Sequence, residues 1–188
     1  MRIIAGRWRG KHLTAPEGRH TRPTSDRARG ALFNLLLHGK PAAAGFRLAG
    51  ARVLDAFAGT GAVGLEALSR GAVHTTFMEN APDVLSVLRW NIEACDTAGS
   101  NSCVLTADVA EPPRATQACN MVFMDPPYGR ELWRRAASAL TQAGWMAEGA
   151  ICCIELGRED AFETLPGFGL LDDRRYGAAR MVVLMCQV

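Results

Sequence analysis

Arg52-Val53-Leu54-Asp55-Ala56, continuing as Phe57-Ala58-Gly59-Thr60-Gly61-Ala62-Val63-Gly64, is an apolar run that stops at a glycine turn and resumes with helical spacing. The run is too short for a helix and fits a strand buried on both faces, while Val63, Leu65, Ala67 and Leu68 give the following segment an apolar helical side. The same rhythm repeats outward. Val73–Met78 reads as a strand, Pro82–Ala94 as a helix, Ser102–Thr106 and Asn120–Met124 as strands, Leu132–Leu140 as a helix and Ala150–Glu155 as a strand. Gly169–Tyr176 and Arg180–Cys186, joined around Gly177, predict a closing antiparallel pair. The expected fold is α/β and doubly wound: a mostly parallel, seven-stranded, Rossmann-like sheet with a terminal antiparallel hairpin.

Upstream, residues 3–13 are glycine-punctuated and fit extended strands near a turn, so residues 1–23 are read as a small basic β extension and loop, and 24–188 as the main domain. Thr24 or Ser25 is placed to cap a helix running to about Leu37, weakened by Gly30, since an interior glycine costs roughly 1 kcal/mol against alanine. With 48% hydrophobic and 21% charged residues, the composition excludes a disordered chain. The net charge of +2 conceals an asymmetry: residues 1–30 hold eight Arg or Lys and two acids. Such a block steers a polyanion toward one face. The first residues lack the apolar run of a signal peptide and no ~20-residue span suits a bilayer, so a cytoplasmic location without membrane partners is expected. Cys95, Cys103, Cys119, Cys152, Cys153 and Cys186 show no Cys-x-x-Cys spacing and are read as core thiols; the four histidines form no ligand set, and no metal is expected.

Gly59-x-Gly61-x-x-Gly64 allows a tight turn, close ligand approach and close helix packing, but serves several nucleotide ligands. The acids arbitrate. Asp55 ends the first strand where a carboxylate faces positive atoms or hydroxyls, which suits the amino-acid end of S-adenosyl-L-methionine better than a pyrophosphate. Glu79, ending the next strand beside Asn80, is placed to accept both ribose hydroxyls, and Asp108 beside Val109 to accept from the adenine amine. With Phe57, Ala58, Gly59, Thr60 and Gly61, these residues form the expected cofactor site.

The apolar strand Met121–Met124 leads into Asp125-Pro126-Pro127-Tyr128-Gly129. Two prolines make the segment rigid and non-helical and leave carbonyls free as acceptors. Asp125 and the Pro126 carbonyl suit the two N–H bonds of a planar amine, and Tyr128 offers a stacking face. A base amine delocalises its lone pair into the ring; accepting both its protons pyramidalises the nitrogen and aims the lone pair at a methyl donor, so catalysis rests on orientation and electrostatics. No cysteine lies near Asp125 for pyrimidine carbon chemistry. Arg7, Trp8, Arg9, Lys11, Arg22, Arg27 and Arg29 are the expected RNA-contacting residues.

Together these segments resemble the bacterial small-subunit (16S) ribosomal RNA guanine-N2 methyltransferases. The resemblance spans nearly the whole chain: Arg2-Ile3-Ile4-Ala5-Gly6-Arg7-Trp8-Arg9-Gly10, Arg22-Pro23-Thr24-Ser25-Asp26-Arg27-Ala28-Arg29, Asp55–Gly61, Asp125-Pro126-Pro127-Tyr128 and Tyr176-Gly177. It implies a class I methyltransferase using S-adenosyl-L-methionine on a guanine amine of small-subunit RNA in an assembled or assembling 30S particle. It also implies a catalytic role for Asp125, Pro126, Pro127 and Tyr128. Gly30 stands where that family commonly carries a glutamate, and Asn80 replaces a more usual neighbour of Glu79. Alternatives are another nucleic-acid amino methyltransferase acting on adenine or guanine, a nicotinamide dehydrogenase, which the Asp125–Tyr128 loop disfavours, and a non-enzymatic assembly module, which leaves both ligand-facing motifs unexplained.

Overall fold

The computed structural model describes residues 1–16, 26–95, 101–127 and 131–187. Seven strands form one sheet: β1 (Arg52–Ala56), β2 (His74–Glu79), β3 (Ser102–Thr106), β4 (Cys119–Met124), β5 (Met146–Gly157), β6 (Phe168–Tyr176) and β7 (Ala179–Cys186), in the order β3-β2-β1-β4-β5-β7-β6. β1 runs parallel to β2 and β4, and β4 runs parallel to β5, while β7 lies antiparallel between β5 and β6. The expected mixed sheet is therefore present. Chain order reverses between β1 and β4, so a crevice opens beyond the carboxyl ends of those two strands, where open α/β sheets hold ligands.

Alternation of side chains divides the core into two layers. On one face Val53, Phe77, Met121, Phe123, Ile151, Cys153 and Val183 pack beneath helices α1 (Asp26–His38), α3 (Ala62–Ser69) and α4 (Pro82–Ala94). Leu54, Met78, Val122, Met124, Cys152 and Ile154 face the other way, against Trp133, Ala137 and Leu140 of α5 (Leu132–Gln142). A single turn, α2 (Lys40–Ala43), follows α1 with Pro41 in its first turn; sequence periodicity gives no sign of so short a helix. β5 begins at Met146 rather than the expected Ala150, because Glu148 and Gly149 are exposed there and hide the strand pattern. Five of the six cysteines are buried free thiols; Cys103, on the outer strand β3, is exposed and corrects the expectation that all six pack as core.

The N-terminal extension is a tight hairpin outside the sheet. Its one β-bridge pairs Arg2 with His12, and Ile3, Gly10 and Leu13 donate backbone hydrogen bonds across it. Ile3 and Leu13 are buried against the α3 side of the core. Among the described residues no helix is long and apolar enough to cross a membrane.

Candidate active site

Beyond β1 the chain turns sharply. Phe57 adopts φ +61°, unusual for a bulky residue, and Gly59 and Gly61 also have positive φ. Strain of this kind persists only where surroundings enforce it, and here Ala58 donates to the Met78 carbonyl at 3.0 Å while Gly61 donates to Ala58 at 2.8 Å. Gly61 opens α3 in the left-handed region and makes no side-chain cap of its own. At Gly61 a Cβ would lie 2.6 Å from Leu88 Cδ1, so the close seat of the turn on α4 requires glycine.

Glu79 joins this turn to the next one. Its Oε2 accepts the Gly59 N–H at 2.9 Å, and its Oε1 accepts the N–H groups of Asn80 and Ala81, each at 2.9 Å. A carboxylate has about four acceptor positions, so one remains for an incoming hydroxyl without breaking these bonds. Asn80 is exposed beside it. Asp55 departs from expectation: it is buried, and its Oδ2 accepts the Gly64 N–H at 2.8 Å, bracing the turn from beneath rather than fronting the crevice. Burial, reinforced by nearby Glu79 and opposed by the Gly64 bond, pushes its carboxyl up to about 7. Asp108 is exposed and accepts the Ala110 N–H at 2.8 Å, while Val109 is buried in the layer that also holds Met78.

The register links the two halves. Ala56 pairs with Met78 on one side and Met124 on the other, and Met124 pairs with Ile154. Phe57 and Asp125 follow directly on the last paired residues of β1 and β4, and Glu79 ends β2 beside them, so all three stand at the carboxyl edge of the sheet. Asp125 is half-buried, Pro126 buried and Pro127 exposed; Tyr128 lies outside the described residues. A cleft of about 230 Å³ adjoins the prolines, lined by Pro126, Pro127, Glu131, Trp133, Leu156, Glu159, Asp160 and Ala161. Glu131, at the start of α5, has φ +48°.

The basic hairpin is fastened along α3. Buried Glu66 accepts the N–H of Ile4 at 2.7 Å and of Ala5 at 3.0 Å, and pairs with Arg70 at 2.7 Å. Ser69 accepts the Trp8 N–H through Oγ at 3.0 Å and the Arg7 N–H through its carbonyl at 2.9 Å. At the other end, Thr60 contacts Met1 Sδ at 3.6 Å, and Asn91 Nδ2 donates to the carbonyls of Thr60 and Thr14 at 2.9 and 3.0 Å. Arg7, Trp8 and Arg9 thus sit at the far end of α3 from the glycine turn, with the Arg7 guanidinium 4.0 Å over the Trp8 ring. Arg9, Lys11 and Arg27 are exposed; Arg22 lies outside the described residues. Arg29 corrects the expected RNA set. It is fully buried, its guanidinium bonding Asp26 at 2.9 Å and the Arg2 carbonyl and lying 3.8 Å from Glu66, so it holds the hairpin rather than a phosphate. Sequence reading overlooked Glu66 and Asn91; the signal for Glu66 was a lone acid inside the apolar run Val63–Leu68.

A glycine turn braced by Glu79, set one strand from an Asp-Pro-Pro loop at the switch point of this mixed sheet, defines an S-adenosyl-L-methionine-dependent methyltransferase. Residues 1–185 match the family described as Conserved hypothetical protein 95. The chain is 37% identical over 166 residues to ribosomal RNA small subunit methyltransferase D of Escherichia coli K12, covering 88% of this chain and 79% of that protein. It is 31% identical over 180 residues to the same-named protein of Haemophilus influenzae, covering 94% and 89%. A solved Escherichia coli structure, that of yhhF, superposes with a TM-score of 0.84 at 33% identity over 100% of this chain and 98% of that one. The chain belongs to the ribosomal RNA small subunit methyltransferase D family.

Proposed function

We propose that this chain transfers a methyl group from S-adenosyl-L-methionine to the exocyclic N2 amine of a guanine in small-subunit ribosomal RNA, in the cytoplasm, on an assembled or assembling subunit. The observation that carries the reading is the position of Asp125-Pro126-Pro127 beyond β4, one strand from the Glu79-braced turn. The relatives named for small-subunit RNA support the substrate class.

The cofactor, when bound, supplies an electrophilic methyl group on a sulfonium sulfur. Its nucleoside fits Glu79 as ribose acceptor, Phe57 to Gly61 as the close-approach turn, Asp108 toward the adenine amine and Val109 as an apolar wall. Asp125 and the Pro126 carbonyl accept the two N–H bonds of N2, and Pro127 fixes the loop so that both acceptors are in place before the base arrives. The lone pair is thereby directed away from them, toward the cofactor side. As N2 gains its bond to carbon, the proton it must shed already points at the Asp125 carboxylate, and Tyr128 supplies a ring for the extruded base. Exposed Arg7, Arg9, Lys11 and Arg27, with Trp8 and Arg22, contact the RNA backbone.

Single-turnover methyl transfer at saturating cofactor tests the reading. Asp125→Ala is expected to lose on the order of a hundredfold in rate, about 3 kcal/mol, and Asp125→Asn less, with cofactor affinity changed far less than rate. A folded Asp125→Ala protein transferring at the wild-type rate overturns the catalytic assignment. Nucleoside analysis of the product separates N2-methylguanine from a methylated adenine.

A further inference from the structure

The cleft beside the catalytic prolines has no role in the chemistry above. It is walled by Pro126 and Pro127 on one side, Trp133 and Leu156 on another, and the turn after β5 on the third. Its apolar floor is firm: Trp133 and Leu156 are buried, and the Trp133 ring packs 5.2 Å from that of Phe162. Three acidic residues line it, Glu131, Glu159 and Asp160. They differ in how they are held. The Glu159 side chain is 88% exposed and, among the described residues, is tethered by Arg158 alone, at 3.4 Å. Asp160, in contrast, is pinned at three atoms: its N–H donates to the Gly157 carbonyl at 3.1 Å, its Oδ2 accepts the Gly157 N–H at 2.8 Å, and its carbonyl accepts from Arg180 Nη1 at 2.9 Å. Oδ1 is left without a protein partner among the described residues.

We propose that Asp160 is the residue that selects guanine, its Oδ1 accepting the N1–H of the base whose N2 amine is held at Asp125 and Pro126. This rests on the guanine reading above and deepens it. On the Watson–Crick edge of guanine a ring N–H lies beside the amine, whereas adenine presents a bare acceptor nitrogen beside its amine. A base seated with its amine on Pro126 has that neighbouring ring atom at the cleft which Pro126 itself lines. A fixed carboxylate there accepts from guanine and repels the lone pair of adenine, and the acceptors on Asp125 and Pro126 alone do not tell the two amines apart. Discrimination requires a polar group held before the ligand arrives, which singles out Asp160 over the swinging Glu159. The apolar walls exclude water that would otherwise satisfy the wrong base.

The decisive substrate is 2,6-diaminopurine, which keeps the N2 amine and replaces N1–H with an acceptor. Once the methylated guanine is mapped, small-subunit RNA carrying either base at that position is assembled into subunits and assayed by single-turnover transfer. The wild type is expected to prefer guanine by roughly ten- to a hundredfold, and Asp160→Asn, whose amide can donate to N1, to shrink that preference to near unity with cofactor affinity unchanged. Equal transfer to both bases by the wild type overturns the proposal without need of any variant. An unchanged preference in a folded Asp160→Asn protein overturns it too. Absence of N2-methylguanine from the wild-type product, on the other hand, sinks the proposed function and takes this inference with it.

Discussion

The carboxylate of Asp55 accepts the amide N–H of Gly64 at 2.8 Å, so the end of β1 and the first turn of α3 are joined inside the core beneath the glycine loop. Burial raises the Asp55 carboxyl from 3.8 to about 7. The folded state therefore binds a proton that the unfolded chain has released between about pH 4 and pH 7. Stability from this group is complete below pH 4 and declines as pH rises to 7, by at most about 4 kcal/mol. Asp55→Asn, which keeps an acceptor for Gly64 without the charge, is expected to flatten that decline in a urea-denaturation series from pH 4 to 8. An identical pH slope in the variant and the wild type rules out Asp55 as its source.

Gly64 meets Asp55 with its amide and β2 with its open side. A Cβ there would lie 2.4 Å from Phe77 Cε1 and 2.7 Å from Thr75 Cγ2, and both residues are buried. Gly64→Ala is accordingly expected to cost about 1–3 kcal/mol and to push α3 off the sheet, against the gain an alanine usually brings to a helix. Because α3 carries the glycine turn on its N-terminus, calorimetric affinity for S-adenosylhomocysteine should fall with it. Unaltered stability and affinity would show that α3 packs more loosely than the structure has it.

Most of the sheet was legible because its signals are local: apolar runs of strand length ending in Asp55, Glu79 and Asp125, each at a strand's carboxyl end. The terminal hairpin announced itself through Gly177. What the sequence withheld depends on residues far apart in the chain. Asp55 reads as a ligand-facing acid until its partner nine residues on is placed, and Arg29 reads as a phosphate ligand until Glu66 and Asp26 enclose it. The cleft at Asp160 draws on β4, α5 and the turn after β5, so no single stretch encodes it.

Glu66 satisfies two backbone N–H groups of the hairpin and faces the guanidiniums of Arg29 and Arg70 while having no solvent exposure itself. Removing one partner from such a buried cluster leaves the others uncompensated. Glu66→Ala is expected to destabilise the protein by about 3–5 kcal/mol, and Glu66→Gln, which keeps acceptor capacity, by less. Limited trypsin digestion at Arg7 and Arg9 should accelerate in both, in that order of severity. Equal stability of the alanine variant and the wild type would mean that the hairpin holds its place without Glu66.

Gly6 to Gly10 turn beside Ser69, whereas Met1 contacts Thr60 and Asn91 bonds both Thr14 and Thr60, so the hairpin runs the length of α3. Eight residues at ~1.5 Å each put the Arg7–Arg9 turn about 12 Å from the glycine loop. Charges that far from the glycine loop are placed to hold RNA rather than to touch the reacting amine. Replacing Arg7, Arg9 and Lys11 together with glutamine should therefore weaken subunit binding and reduce the slope of log Kd against log salt by up to about three, one for each phosphate no longer neutralised. The single-turnover rate at saturating substrate should stay within about twofold of wild type, as should cofactor affinity. A changed maximal rate with an unchanged salt slope would place these residues in the chemistry instead, and would require the hairpin to leave α3 when RNA binds.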